Sequence, residues 1–408
     1  IIDVYVVTTG DSESYARGYF EWFVDRHPPS GESVSWRWND VTPEAFLDSG
    51  GISRVAAGSI VLVQSYHLRE RDDMEFLAGT LPERPRLLRA PKLWAILNAT
   101  EPLIVILNND GDCSLELPST SHHVFYRDTW SDGLHHEYLR SRALEPGGPE
   151  RGWPWLRSFP FGTPFDGGDL SKLESAAALP ADRRKLLFAF RGTRGWSKPS
   201  RQQLDDAEAR GRTHWTDLSA RLMAHAPPLG AKWPRRYIVD LKSVEYMQDA
   251  QGNWSRRDLT SYQSEANFSY VDTLRDAAFT LSPPGDLWEA YRTWEAMEAG
   301  PIPVVADNAS YKLEGCARPA LHLQETAPFV LSVRSWDELP AVLERAAPNA
   351  SALLARQAEM ARWLKRRKAE VRAEILATSR AMADSSSRPE RWRARTVCRA
   401  VPLSPSQV

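Results

Sequence analysis

The sequence predicts an α/β fold of two Rossmann-like domains with a long C-terminal helix, and three observations carry that prediction. Strand-sized, nearly uninterrupted apolar runs such as Leu103 to Leu107 alternate with amphipathic helical stretches, the pattern of parallel strands covered on both faces. The series breaks in a stretch dense in Pro, Gly and aromatics from Pro146 to Gly168 and starts afresh at Lys185. With 408 residues, 42% of them hydrophobic, the chain is long enough to build more than one core.

In chain order, a strand at Asp3 to Val7 leads through Thr-Thr-Gly-Asp to a helix from about Ser14 to Asp25. Strands follow at Ile60 to Val63, Leu103 to Leu107 and Val124 to Tyr126, with a charged helical stretch from Glu70 to Ala78. This first domain covers 1–175, with a linker near 165–182. The second domain, 180–348, has strands at Lys185 to Gly192, Tyr237 to Asp240, Ala278 to Leu281 and Ile302 to Val305. In 350–383, Leu353, Met360, Leu364, Val371 and Ile375 recur at helical spacing, so a long helix is expected to pack back across the domains. Residues 384–408 read as a tail. The run Lys365 to Lys368 reads as a solvated helix face rather than a nucleic-acid site.

Lys plus Arg number 51 against 53 Asp plus Glu, a balance that argues against bulk electrostatic binding to nucleic acid. The longest apolar runs fall far below the roughly 18 residues of a membrane span. Cys113, Cys316 and Cys398 allow one bridge at most and make no zinc site. Of the eight asparagines, five (Asn98, Asn253, Asn267, Asn308 and Asn349) stand in N-x-[ST], which points to a lumenal or secreted protein. The first residue is Ile1 rather than Met, and the expectation is a preceding signal, anchor or stem that has been removed.

Chemistry concentrates between Tyr270 and Asp307. A strand ends at Ser282, Pro283-Pro284-Gly285 makes a loop where backbone can approach a ligand, and a helix begins between Asp286 and Ala290. Its N-terminal N–H groups and positive dipole end suit a diphosphate. Arg292 and Glu295, three apart, share one helix face and offer a cation for phosphate and a carboxylate for ribose hydroxyls. The plain alternative is a surface ion pair on an ordinary crossover. A second group, Phe190-Arg191-Gly192 followed by Ser200-Arg201, begins the same domain, so both strands would end at one crevice.

These residues, with Tyr270, Leu274, Phe279, Ala296, Gly300, Pro303, Val304 and Asp307, resemble the donor-binding half of the exostosin-type glycosyltransferases, family 47. Further points of likeness are Trp336-x-Glu338-Leu339-Pro340 and, in the first domain, Ile104 to Leu107 leading through Asn109 to Cys113. Thr280 stands where many relatives carry Cys, and Pro301 where small residues are commoner. The resemblance implies a GT-B fold, two Rossmann-like domains facing a cleft, and an inverting enzyme of the Golgi lumen. It implies a UDP-sugar donor, UDP-xylose first, a glycan or ribitol-phosphate-type acceptor, and no obligatory metal or cofactor. Carried over residue by residue, Arg201 and Arg292 would hold the diphosphate and Glu295 the ribose, with Gly192, Ser200, Pro284 and Gly285 in the same donor-binding site.

Asp110-Gly111-Asp112 follows an apolar strand, as a metal-binding D-x-D does in the other transferase class, so a metal-dependent enzyme is one alternative. In the GT-B reading Asp110 is the candidate base for the acceptor hydroxyl; a self-bonded turn is the plain reading of the same loop. His122-His123 and Gly10-Asp11-Ser12 carry weaker signals, the latter without a nucleophile elbow. Trp153, Trp155, Trp196 and Trp288 suit sugar stacking or core packing. A non-catalytic glycan-binding or partner subunit on the same fold is the other alternative.

Overall fold

The computed structural model describes residues 1–7, 17–18, 20–25, 34–41, 55–64, 103–108, 124–127, 156–158, 174–177, 179–194, 237–248, 254–258, 270–283, 291–306, 327–346 and 350–386. By contacts the chain divides into two compact units. The first comprises 1–17, 24–160 and 370–408, the second 18–23 and 161–369.

The first unit is built on β1 (Ile2–Val7), β2 (Trp36–Val41), β3 (Ile60–Gln64), β4 (Ile104–Asn108), β5 (Val124–Arg127) and β6 (Leu156–Ser158). They form one sheet, order β2-β1-β3-β4-β5-β6, parallel at every pairing. Val4, Val6, Ile60 to Val63 and Leu103 to Leu107 are buried, which is why the inner strands read as unbroken apolar runs. The edge strand β2, Trp-Arg-Trp-Asn-Asp-Val, has only half-buried and exposed positions, and β6 has three residues; neither carries the apolar signal that marks the others. Gly58 (φ +82°) precedes β3, and Ser379 Oγ donates to its carbonyl at 2.7 Å.

The second unit carries β7 (Leu186–Arg194), β8 (Tyr237–Gln248), β9 (Trp254–Asp258), β10 (Ala277–Ser282), β11 (Ile302–Ala306) and β12 (Leu331–Val333). Their order, β12-β11-β10-β7-β8-β9, is that of a dinucleotide-binding fold, the sequence of strands reversing direction between β7 and β10. All pairings are parallel except β8 with β9, where the distal half of the long β8 folds into a hairpin. The α-helices are α1 (Tyr270–Asp276), α2 (Tyr291–Ala299), α3 (Leu339–Ala346) and α4 (Ala350–Ser386) among the described elements. Phe188, Phe190, Phe279, Leu281, Ile302 and Val304 form the core with Trp336, Leu339, Leu343 and Leu353.

Three expectations change. Within the stretch read as a linker, residues 174–177 make a helical turn, Ala181–Arg183 a 3-10 turn, and Ala176 and Ala181 are buried. The helix read into the first domain ends in a π-helical turn, Glu21–Asp25, and its residues 18–23 belong to the second unit. There Trp22 Nε1 donates to Glu298 at 3.0 Å and lies edge-on to Trp294. Lys368, read as solvated, is buried: its ammonium meets Glu298 Oε2 at 2.6 Å and sits 4.2 Å from the Trp22 ring centroid. Lys365 and Arg366 are exposed as expected. The five apolar positions that announced the long helix are all buried.

Candidate functional site

Parallel doubly-wound sheets bind ligands beyond the carboxyl ends of their strands where the strand order reverses, here β7 and β10. Gly192 lies in the last third of β7, paired with Leu241 of β8, and β10 ends at Ser282 immediately before Pro283. Thr280 and Ser282, two apart on one face of β10, are buried, and among the described residues neither hydroxyl has a hydrogen-bond partner.

From β10 the chain returns through α2, which brings Arg292 and Glu295 to this region. The Arg292 guanidinium carbon stands 5.6 Å from the ring centroid of Phe190, two residues before Gly192 on β7, and 5.0 Å from that of Tyr291. The side chain that the sequence assigned to phosphate thus packs beside the strand that carries Gly192. Glu295 is only 1% exposed and Arg292 7%, which rules out the plain surface ion pair.

Glu295 has a partner that spacing along one helix could not reveal: Tyr270, the first residue of α1, donates its hydroxyl to Oε2. Burial raises the Glu295 carboxyl to about 7, against the lowering effect of the Tyr270 hydrogen bond and of Arg292. Burial, then the Glu295 charge, holds the Tyr270 hydroxyl well above its usual range. At neutral pH Glu295 is therefore divided between its charged and neutral forms.

Behind this cluster a second arginine organises the helices. Arg184, fully buried, donates to the carbonyls of Ala176, Leu179, Leu274, Arg275, Ala277 and Ala299 at 2.9–3.2 Å. These include the last carbonyls of α1 and α2, which have no acceptor role within their own helices. Burial lowers its pKa to about 9, partly offset by Asp276, so it is charged at neutral pH. Gln357 of α4 bridges the same place, accepting from Ala181 N–H at 2.8 Å and donating to the Leu179 and Gly300 carbonyls. Sequence reading singled out neither residue, since an arginine that bonds only to backbone has no partner to be spaced from.

Asp110, Ser200, Arg201, Pro284 and Gly285 lie outside the described residues, as do Asp112, His122, His123, the three cysteines, the five sequon asparagines and Trp153, Trp155, Trp196 and Trp288. Of the proposed ligand residues, the structure brings together Arg292, Glu295 and the β7 strand of Gly192. Among the described residues no group of three or more His, Cys, Asp or Glu is placed to hold a metal, and no helix is long and apolar enough to cross a membrane.

Residues 241–381 match the model of the RXYLT1 C-terminal domain family. The chain is 38% identical over 90 residues to ribitol-5-phosphate xylosyltransferase 1 of Homo sapiens, and 36% identical over 88 residues to that of Mus musculus. Each alignment takes in 20% of this chain, and the chain spans only 20% of either relative's length. The RXYLT1-like segment contains Tyr270, Arg292 and Glu295 and leaves out Asp110, Gly192, Ser200 and Arg201. A solved Phytolacca americana UGT2 complexed with UDP-2fluoro-glucose and pterostilbene aligns over 93% of this chain and 99% of its own, at 10% identity and a TM-score of 0.36. Likeness at that level carries no argument. The α/β architecture with parallel sheets rests on the strand order itself.

Proposed function

We propose that the protein is an inverting glycosyltransferase of the GT-B type, moving a sugar from a UDP-sugar, first of all xylose from UDP-xylose, to a glycan or ribitol-phosphate-type acceptor. One observation carries the reading. Arg292 and Glu295 stand on the helix that follows β10, beside β7 at the reversal of strand order, within the RXYLT1-like segment. A cation beside a carboxylate is what a nucleoside diphosphate requires, the one for phosphate oxygens and the other for the ribose diol. Arg201, Gly192, Ser200 and the Pro284-Gly285 loop complete the diphosphate site, and Asp110 in the first unit is the base. Inversion needs a single displacement, so one general base suffices and no covalent intermediate is formed. The diphosphate charge is met by arginines and backbone N–H groups, with no obligatory metal. The sequons support a lumenal, Golgi location.

With 1% of its surface exposed, Glu295 is met by a ribose only after what covers it moves aside. That burial also favours the second reading, a non-catalytic subunit in which Glu295 only ties α2 to α1. A panel of UDP-sugars separates the two. Hydrolysis or transfer of one sugar, with a raised Tm, supports the enzyme; stabilisation without turnover favours the subunit; neither effect with any UDP-sugar overturns the enzyme.

A further inference from the structure

We propose that Tyr270 is the positioning residue of Glu295 in the nucleotide site, a deeper reading of the donor site above that rests on Glu295 receiving the ribose. The last torsion of a glutamate is broad and two-fold, so a carboxylate offered to a diol must be oriented by something else. Tyr270 does this by donating to Oε2, which occupies one of about four acceptor positions and leaves Oε1 for the ligand.

Its own position is fixed from behind. Arg184 Nη1 donates to Leu274 and Arg275 O in α1, and Nη2 to Ala299 O at the end of α2. One guanidinium therefore fixes the carboxyl ends of both helices, and with them the relative placement of Tyr270 and Glu295.

The bond also decides when Glu295 is charged. A donor to the carboxylate favours the charged form that ribose hydroxyls need, against the desolvation that favours the neutral one. Among the described residues the other charged neighbour is Arg292, with Tyr291 beside it on α2. The strands packed on α2, Ala-Ala-Phe-Thr-Leu-Ser and Ile-Pro-Val-Val-Ala, contribute no titratable side chain. From α1, Arg275 pairs with Asp272 and Asp276; from α4, Lys368 pairs with Glu298.

The test is UDP affinity by calorimetry from pH 5.5 to 8.5 for the full chain, Tyr270→Phe, Glu295→Gln and the double variant. Wild-type affinity is expected to weaken as pH falls through about 7. Tyr270→Phe should bind roughly tenfold more weakly at pH 8 and have its midpoint at higher pH, a change that loss of packing alone does not produce. Glu295→Gln should lose the pH dependence, and adding Tyr270→Phe to it should change nothing. The double variant leaves no buried carboxylate without its donor, so it keeps the test available if Tyr270→Phe folds poorly. A wild-type midpoint in Tyr270→Phe, or a double variant weaker than Glu295→Gln, overturns the positioning role while the ribose reading stands. Glu295→Gln binding UDP as tightly as wild type overturns both.

Discussion

Arg184 and Gly300 close the end of α2 together: Arg184 Nη2 donates to the Ala299 carbonyl at 2.9 Å, and a Cβ built on Gly300 would lie 2.5 Å from that same nitrogen. Gly300 has φ +90° and returns its N–H to the Ala296 carbonyl at 2.8 Å, the helix stop that a glycine after the last turn supplies. Gly300→Ala is expected to cost about 1–3 kcal/mol for the backbone conformation alone, with more for displacing the guanidinium. Urea denaturation of the two chains measures it, and an unchanged midpoint would show that Arg184 yields without loss.

The buried pair Glu298–Lys368 is met by Trp22, which contributes an N–H to the carboxylate and a ring face to the ammonium. Removing one charge leaves the other buried and unmatched. Lys368→Met should destabilise by roughly 3–5 kcal/mol. Adding Glu298→Gln should recover a substantial part of that loss. A double variant no more stable than Lys368→Met would mean that the aliphatic stem of the lysine, rather than its charge, carries the contribution.

The two arginine-centred clusters differ in how far the sequence revealed them. The inner strands, the helix over Ala350–Ser386 and the glycine stop at 300 follow from local patterns, because apolar period and backbone conformation are written in neighbouring residues. Arg292 and Glu295 followed from helical spacing and from the family motif. Tyr270–Glu295, Trp22–Glu298 and Arg184 with its six carbonyls join positions 25 to 276 residues apart, or side chain to backbone, and no local pattern encodes them. The edge strands β2 and β12 carry no such pattern for another reason: with half-buried and exposed positions along them, they bury too little to need an apolar run.

Glu295 gives the ligand-free chain a pH dependence of definite sign. Its folded pKa of about 7 lies above the ordinary 4.5, so between those values the folded state holds more proton than the unfolded. Stability from this group is therefore present at pH 4.5 and below and is lost as pH rises to about 7. Comparison of unfolding free energies at pH 5 and pH 8 should show Glu295→Gln gaining on wild type at the higher pH. A constant difference between the two would remove the buried, proton-sharing carboxylate.

Activity is expected to survive EDTA, since the proposed diphosphate site uses Arg201, Arg292 and backbone N–H groups. Complete loss, restored by Mn²⁺, would make Asp110 and Asp112 metal ligands.

The last prediction concerns Asp110 itself. β4 ends at Asn108, in the middle of a six-stranded sheet whose strands are all parallel, so Asp110 follows a carboxyl strand end by two residues. Such ends are where doubly-wound sheets present their functional loops. An inverting transfer needs one group to take the proton of the acceptor hydroxyl as the new bond forms. Asp110→Asn retains the size of the side chain but is far too weak a base. Turnover should fall about 10²–10⁴-fold while UDP affinity is unchanged, because the base contributes to the transition state and not to the nucleotide. Retention of more than about a tenth of the wild-type turnover would take Asp110 out of the role and leave Asp112 and His123 to be tested in the same way.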